Sequence, residues 1–286
     1  MIPSQSIIAQ IKEKLNIIVV GWESLSGGSI NSAWRLFTNK GTYFIKMNSL
    51  NPGMFEAEAA GLKLIASTAT IAVPKVMLVG NTEENSYFLS EMINTRWPTP
   101  NSSITLGQKL AQLHQCSATF FGLNSDNYMG SLLQSNKKHQ TWSAFFMEER
   151  LMPMVKMAVD KRYLTSTDAG NFETLYKKLP SLFDEEPPAL IHGDLWGGNY
   201  LISQNETPYL IDPAITYGHR EFDIAMTTLF EGFREEFYSA YQEAFPLAKG
   251  WEQRVDLWNL YPLLVHLNLF GGGYLNEVRD CLKEYL

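Results

Sequence analysis

Residues 188–202 read PALIHGDLWGGNYLI, and residues 208–214 follow as PYLIDPA. Apolar runs (Ala189–Ile191, Tyr200–Ile202 and Tyr209–Ile211) bracket the polar residues His192, Asp194, Asn199 and Asp212. An apolar strand that ends on a polar residue fixes that side chain on a rigid element. Two carboxylates and an amide therefore converge within one short island of strand-like sequence. Oxygen donors of this kind suit Mg²⁺, which takes one or two carboxylates and completes its shell with substrate phosphates.

The spacing narrows the chemistry. Asn199 follows Asp194 by five residues and Asp212 follows Asn199 by thirteen. A five-residue step lets the Asp project toward a nucleophile while the Asn turns back toward a metal, the H-x-D-x-x-x-x-N arrangement of kinase catalytic loops. A lone His-Gly-Asp is an ordinary loop; the three elements together are not. The same reading asks for a lysine in a neighbouring sheet, and Lys46 lies near the end of the run TYFIKM (42–47). Alone, a strand lysine is usually solvated. Here the next segment, FEAEAAGL (55–62), carries two acids that can hold an ammonium against nucleotide phosphates. Glu58 is preferred over Glu56, although spacing alone does not decide between them, and a first-turn Glu is also favoured simply by the helix dipole. SGGSIN (26–31) is the candidate phosphate loop. Gly27 and Gly28 allow close backbone approach, and Ser29 and Asn31 add donors; its place upstream of Lys46 promotes what is otherwise a plain hairpin signal.

Working outward, residues 4–15 have helical spacing, with Ile7, Ile8, Ile11 and Leu15 apolar. IIVVGWESL, AWRLFT and TYFIKM read as three antiparallel strands separated by turn chemistry. A helix over 55–67 and two strands, VPKVMLVG and SYFLSEMI, complete a five-stranded sheet. Residues 94–103 form a polar connector. Helices are expected over 104–115, 141–160, about 168–179, 221–245, 251–269 and 274–286, with residues 187–220 the only strand-and-loop island among them. The chain thus divides into a sheet lobe (1–93) and a larger, mainly helical lobe (94–286), a two-lobed α+β architecture.

Composition bounds the rest. Lys plus Arg total 23 and Asp plus Glu 30, a net charge of −7 over 286 residues. That balance argues against a nucleic-acid partner, which calls for a basic face. With 45% hydrophobic residues the chain is no disordered tail. Cys116 and Cys281 are too few for a disulfide framework. No signal peptide and no long apolar span are visible, so a cytoplasmic protein away from membranes is expected, with a monomer favoured and the oligomeric state open.

The residues resemble a known family. SGGSINSAWRL, YFIKMN, FEAEAAGL, HGDLWGGN, IDPAITYGHREFDIAM and HLNLFGGGY are similar to segments of the fructosamine kinase (ketosamine-3-kinase) family, a branch of the aminoglycoside-phosphotransferase and choline-kinase-like superfamily. The resemblance implies a protein-kinase-like fold and ATP-dependent phosphorylation of the sugar 3-hydroxyl of ketosamines. The unstable 3-phosphate then releases the amine, a deglycation. By the same resemblance Asp194 takes the catalytic-base role, Asn199 and Asp212 hold Mg²⁺, Lys46 binds the α/β-phosphates and Glu58 orients it. Asp223 is then the acid that anchors the catalytic loop. Backbone groups near Ser90 and Met92 would meet the adenine, if FLSEMI is more than an edge strand. Trp196, His219, Arg220 and Glu221 sit where the family's distinguishing residues lie, either on the substrate side or bracing the loop. The aromatic residues of 251–274 are core or a wall for a sugar.

Departures matter as well. The metal Asp lies in Ile-Asp-Pro, not Asp-Phe-Gly, and no Arg precedes Asp194. A phosphorylation-ordered activation loop, read by Arg clusters, is therefore not expected, nor is a protein kinase. Some relatives carry a cysteine in the glycine loop that can link two chains; Ser29 and its neighbours stand there instead. Another small-molecule kinase of the superfamily, or a nucleotide-binding scaffold without turnover, would share the ATP residues.

Overall fold

The computed structural model describes residues 2–25, 31–49 and 53–286. The helix α1 (Gln5–Leu15) starts where the Ser4 side chain accepts the Ile7 N–H, the usual way to satisfy an orphan helix donor. Strands β1 (Val19–Leu25), β2 (Ser32–Thr38) and β3 (Gly41–Ser49) follow, then helix α2 (Met54–Ser67) and strands β4 (Val76–Asn81) and β5 (Asn85–Glu91). They form an antiparallel five-stranded sheet in the order β1-β2-β3-β5-β4. Strand alternation sorts its side chains onto two faces. Ile45, Met47, Tyr87 and Leu89 are buried in one cluster with Ile7 and Ile11 of α1. Lys46 and its cross-strand partner Phe88 point the other way, where Phe55 and Leu62 of α2 pack on Phe88.

The remainder runs through β6 (Thr95–Arg96), α3 (Pro100–His114), β7 (Asn127–Met129), β8 (Leu132–Gln134) and α4 (Trp142–Phe145). A π-helical turn (Phe146–Leu151) leads into α5 (Met152–Asp160) and α6 (Ser166–Lys178). Next come the short strands β9 (Ala189–Ile191), β10 (Tyr200–Ser203), β11 (Pro208–Leu210) and β12 (Thr216–Gly218). Helices α7 (Glu221–Leu229), α8 (Glu235–Ala244), α9 (Val255–Phe270) and α10 (Leu275–Lys283) close the chain. Its largest core gathers Trp142, Phe145, Phe146, Phe222, Trp258 and Tyr261. A second cluster joins Leu106 and Leu110 of α3 to Phe237 and Tyr241 of α8 and to Leu190, Leu195 and Leu210 beside the short strands.

The structure departs from the sequence expectation in several places, among them the connector 94–103, which holds β6 and the first turn of α3. Residues 187–220 are not the only strand island: β7 and β8 form a hairpin within the helical lobe. Its Gly130-Ser131 loop is ordinary hairpin chemistry, but strands of three residues leave no period to read. The helix expected over 141–160 contains the π turn. The helix expected over 221–245 is broken between Leu229 and Glu235. Gly232, at φ +133°, brings the break against the Gly197 backbone, and a Cβ on Gly232 would lie 2.7 Å from the Gly197 Cα. The Tyr200 hydroxyl donates to the Gly232 carbonyl at 2.6 Å. The interruption therefore docks a bend of chain on the segment after Asp194. No described helix is long and apolar enough to cross a membrane.

Candidate active site

Two strand pairs aim the polar residues at one place. Ile191, the last residue of β9, is paired with Thr216 of β12, so His192, Gly193 and Asp194 emerge together from the end of a buried strand. In the β10–β11 hairpin Tyr200 faces Leu210. Asn199, just before β10, and Asp212, just after β11, thus leave the same end of the ladder, and the Ile211 N–H donates to the Asn199 carbonyl at 3.0 Å. Sequence separation disappears because a hairpin returns the chain to its start.

The catalytic-loop backbone is held from beneath. Asp223, fully buried on α7, accepts the His192 N–H at 2.6 Å and the Gly193 N–H at 2.8 Å. His114, whose other ring nitrogen meets the Tyr241 hydroxyl, reaches the same carboxylate at 3.1 Å. His192 Nε2 donates to the Ile211 carbonyl at 2.9 Å while Nδ1 accepts the Asp194 N–H, which makes its ring neutral and bridging. Burial lowers the His192 pKa, in keeping with that neutral form. Gly193 has φ +79°, and a Cβ there would lie 2.1 Å from the Ala214 carbonyl oxygen, so only glycine fits.

Above this base the charged groups meet. Lys46 Nζ lies 2.6 Å from Glu58 Oε2 and 2.7 Å from Asp212 Oδ1. Burial alone would lower the lysine's pKa; the Asp212 and Glu58 carboxylates outweigh it and raise it, so the ammonium stays charged. Phe88 and Phe55 flank the ammonium, with ring centres 5.2 and 5.8 Å away. Glu56 is occupied elsewhere: it accepts the Gly53 N–H at the start of α2 and the Asn81 side-chain amide. Asn199 Nδ2 donates to the Asp194 carbonyl at 2.8 Å and to Asp194 Oδ2 at 3.0 Å. The Asp194 carboxyl is pushed up to about 7 by burial and by the like charge of Asp212. Asp212 is itself held at φ +52°, a backbone that aspartate tolerates better than branched residues do, with 46% of its side chain exposed. One ammonium thus faces several carboxyl groups, and the surplus negative charge with its oxygen donors fits a divalent cation. The residues present therefore suit Mg²⁺, for which the Asp212 carboxylate and the Asn199 amide oxygen are available donors.

The other expected site residues fall into distinct groups. Gly27, Gly28 and Ser29 lie outside the described residues. Ser90 is within β5, paired with Phe44 on one side and Val76 on the other. Met92 lies just past that strand and lines a cleft of about 430 Å³ with Arg35, Ile93, Asn94, Thr95 and Gln204. Trp196 is 39% exposed and contacts Phe230 edge-on, at 5.8 Å between ring centres. Phe230 in turn meets His266, which meets Phe270 and Tyr274. The aromatic residues of 251–274 therefore divide: Trp258 and Tyr261 are core, whereas Tyr274 joins this half-open cluster beside the catalytic loop.

Of the two alternatives for His219, Arg220 and Glu221, substrate side or brace, their contacts favour the brace. All are buried. Every guanidinium nitrogen of Arg220 donates to a protein acceptor, on Glu186, Phe245 or Pro246. Glu221 takes two bonds from Arg254 and one from the Trp258 indole N–H, and His219 stacks on Trp258 at 5.3 Å. Groups so placed tie α7 to the segments around it.

The β7–β8 hairpin supplies residues that sequence reasoning missed. Asn127 Nδ2 donates to the Ile215 carbonyl at 2.7 Å, and Gln134 Nε2 to Asn127 Oδ1 and the Ala214 carbonyl. The Tyr261 hydroxyl donates to Gln134 Oε1 at 2.7 Å. These bonds secure the chain immediately after Asp212. Nothing in the sequence flagged them, because polar residues in short strands look solvent-facing until the partner segment is in place.

The chain is similar to known proteins over nearly its whole length. The fructosamine kinase family profile matches residues 3–286. A protein named probable ketoamine kinase in Enterococcus faecium is 38% identical over 284 residues, covering 98% of this chain and 99% of that one. A chloroplastic protein-ribulosamine 3-kinase of Arabidopsis thaliana is 39% identical, with 92% of this chain and 82% of the other covered. The crystal structure of a fructosamine-3-kinase homologue from Thermobifida fusca superposes with a TM-score of 0.89 at 34% identity, over 99% of each chain. An aminoglycoside phosphotransferase solved with AMP-PNP and hygromycin B shares the fold at a TM-score of 0.65 and 16% identity, over 98% of this chain and 99% of the other. The fold is thus the two-lobed, protein-kinase-like one, and this chain belongs to the fructosamine kinase family.

Proposed function

We propose that this protein is an ATP- and Mg²⁺-dependent kinase that phosphorylates the 3-hydroxyl of ketosamines, the sugar adducts of amines, and so leads to their deglycation. The single observation that carries the reading is the meeting of Lys46, Glu58 and Asp212 beside the Asp194–Asn199 pair. The names of the relatives, probable ketoamine kinase and protein-ribulosamine 3-kinase, support the substrate class.

Residues 1–93 act as the nucleotide lobe and 94–286 as the catalytic and substrate lobe. Gly27, Gly28 and Ser29 cover the phosphates, and the backbone near Ser90 and Met92 meets the base. Lys46, kept charged and aimed by Glu58, binds the α/β-phosphates. Mg²⁺, held by Asn199 and Asp212, supplies charge neutralisation on the phosphates when bound. Asp194 orients the 3-hydroxyl and accepts its proton. The hydroxyl oxygen forms a bond to the γ-phosphorus as the bond from that phosphorus to the bridging oxygen breaks and ADP leaves. Positioning and electrostatics contribute most of such a reaction. Trp196, with Phe230, His266 and Tyr274, offers apolar ring faces for the sugar, and its partly open setting leaves room for an amine carried on a larger molecule. Cytoplasmic action as a monomer fits the acidic, cysteine-poor chain.

The test is ADP release with ATP and a panel of fructose-, ribulose- and erythrulose-amines, with choline and kanamycin alongside. Turnover on a ketosamine and not on the last two is the expected result. Turnover only on choline or kanamycin, or nucleotide binding without turnover on any of them, would overturn it.

A further inference from the structure

Well apart in sequence from the catalytic loop, the π turn Phe146–Leu151 carries a second polar cluster. His139 is half-buried, and its Nε2 lies 2.9 Å from Glu149 Oε1. Glu149 is buried, 8% exposed, while its neighbour Glu148 is exposed. One ligand atom from each of His139, Glu148 and Glu149 lies within 4.8 Å of the others. A π turn is wider than an α turn and is a rare feature, frequent at functional sites. The two glutamates also line an open cleft of about 660 Å³ together with Ser135, Lys137, Glu173 and Tyr176.

An independent feature of that cleft points to an occupant. Tyr176, only 9% exposed, contributes to the wall a buried hydroxyl with no hydrogen-bond partner. A buried hydroxyl without a partner is costly. The walls carry three carboxylates, on Glu148, Glu149 and Glu173, against the one ammonium of Lys137.

We propose that His139, Glu148 and Glu149 form a binding site for one divalent transition cation of the Zn²⁺ or Mn²⁺ type, separate from the nucleotide's metal. An imidazole nitrogen beside carboxylates selects borderline cations over Mg²⁺, which prefers oxygen alone. Metal–ligand bonds of about 2.0–2.2 Å place neighbouring donor atoms roughly 3 Å apart, the spacing His139 and Glu149 already have. Glu148, free at the surface, swings in as the third ligand, and water fills the remaining positions with Tyr176 as an outer hydrogen-bond donor. A metal takes the Nε2 lone pair, so in the bound form the ring carries its proton on Nδ1. On the inward side of the same turn, Arg150 donates to the Ser135 carbonyl and Asn136 Oδ1. An ion there fixes the turn that supports the β7–β8 hairpin.

The experiment is equilibrium dialysis of the full-length, nucleotide-free protein against Mn²⁺ and, separately, Zn²⁺, with melting measured on the same samples. Three variants are compared: Glu148→Gln, His139→Asn and Asp212→Asn. Glu148 is exposed, so its variant keeps the fold, which an unchanged ion-free melting midpoint checks. The expected result is one ion per chain at this site, bound roughly tenfold or more weakly by Glu148→Gln and His139→Asn and with undiminished affinity by Asp212→Asn. The ion raises the melting midpoint of the parent but not of Glu148→Gln. No bound ion, equal affinity in Glu148→Gln, or loss confined to Asp212→Asn overturns the proposal. Because Glu148→Gln leaves the Mg²⁺-dependent kinase assay untouched, failure here and failure of the kinase reading are read separately.

Discussion

Asp212 and Asp223 belong to one stretch of chain, yet they live in opposite environments. Asp212 sits at the crevice with half its side chain open and one close cation, Lys46. Asp223 is sealed away and saturated by two backbone N–H groups and a histidine. The same contrast separates their neighbourhoods. The Asp223 and Glu221 carboxylates have their oxygens bonded to protein donors. Around Asp194 and Asp212 acids crowd together with too little positive charge. A buried acid whose hydrogen bonds close within the protein contributes to stability. An acid left in surplus at a crevice costs stability and is retained for what it binds. The contrast separates groups that hold the fold from groups that, in the proposed function, do the chemistry.

The largest expected effect tests the crevice side. Asp212→Ala should abolish Mg²⁺-dependent turnover; an unchanged Mg²⁺ titration would strip Asp212 of its metal role. Asp194→Asn should lower kcat by about 10²–10⁴ with little change in nucleotide affinity, and near-full activity in that variant would remove Asp194 from the mechanism. A pH profile sharpens the point. The Asp194 carboxyl is raised to about 7, so the acid form dominates below neutrality. In the free enzyme kcat/KM should rise with pH and level off above about 7, since that ratio reports the free enzyme's groups. The stability sign is the reverse. Between the ordinary carboxylate range and about 7 the folded chain keeps a proton that the unfolded chain has released, so this group's favourable contribution is lost as pH rises through that window. Asp194→Asn should flatten both curves.

Smaller effects test the brace side. Asp223→Ala orphans the His192 and Gly193 N–H groups, each worth roughly 1–3 kcal/mol when buried without a partner. Denaturant melts should show a loss of about that size or larger, and a melt identical to the parent's would contradict the bracing role. The finest comparison sets Glu221→Gln against Trp196→Ala. The first should lose roughly 1–3 kcal/mol of stability and leave the ketosamine KM in place. The second should raise that KM several-fold with stability within about 0.5 kcal/mol of the parent. An interchange of the two patterns would invert the assignment of these residues.

How much of this was readable in advance depends on the range of the contacts. The sheet lobe was legible because β-branched and aromatic alternation with turn residues between runs is a local signal, as in TYFIKM and SYFLSEMI. The spacing from Asp194 to Asn199 and on to Asp212 was legible because a strand, a loop and a hairpin fix those distances along the chain. Asn127, Gln134 and Tyr261 were not, since each is polar or aromatic for reasons visible only when Ala214 and Ile215 lie beside it. The break at Gly232 was hidden too. Its cause is a backbone contact with Gly197 from another segment.

The chain's own order of residues therefore determined which groups were present, on which elements, and the kind of reaction they suit, since those follow from short-range periodicity and spacing. Only the tertiary structure decided that Lys46 chooses Glu58, with Glu56 spent on capping, and that His219, Arg220 and Glu221 are buried against protein partners. It also decided that His139 pairs with Glu149. Those outcomes depend on burial and on which partner is in reach, and both are properties of the packed chain.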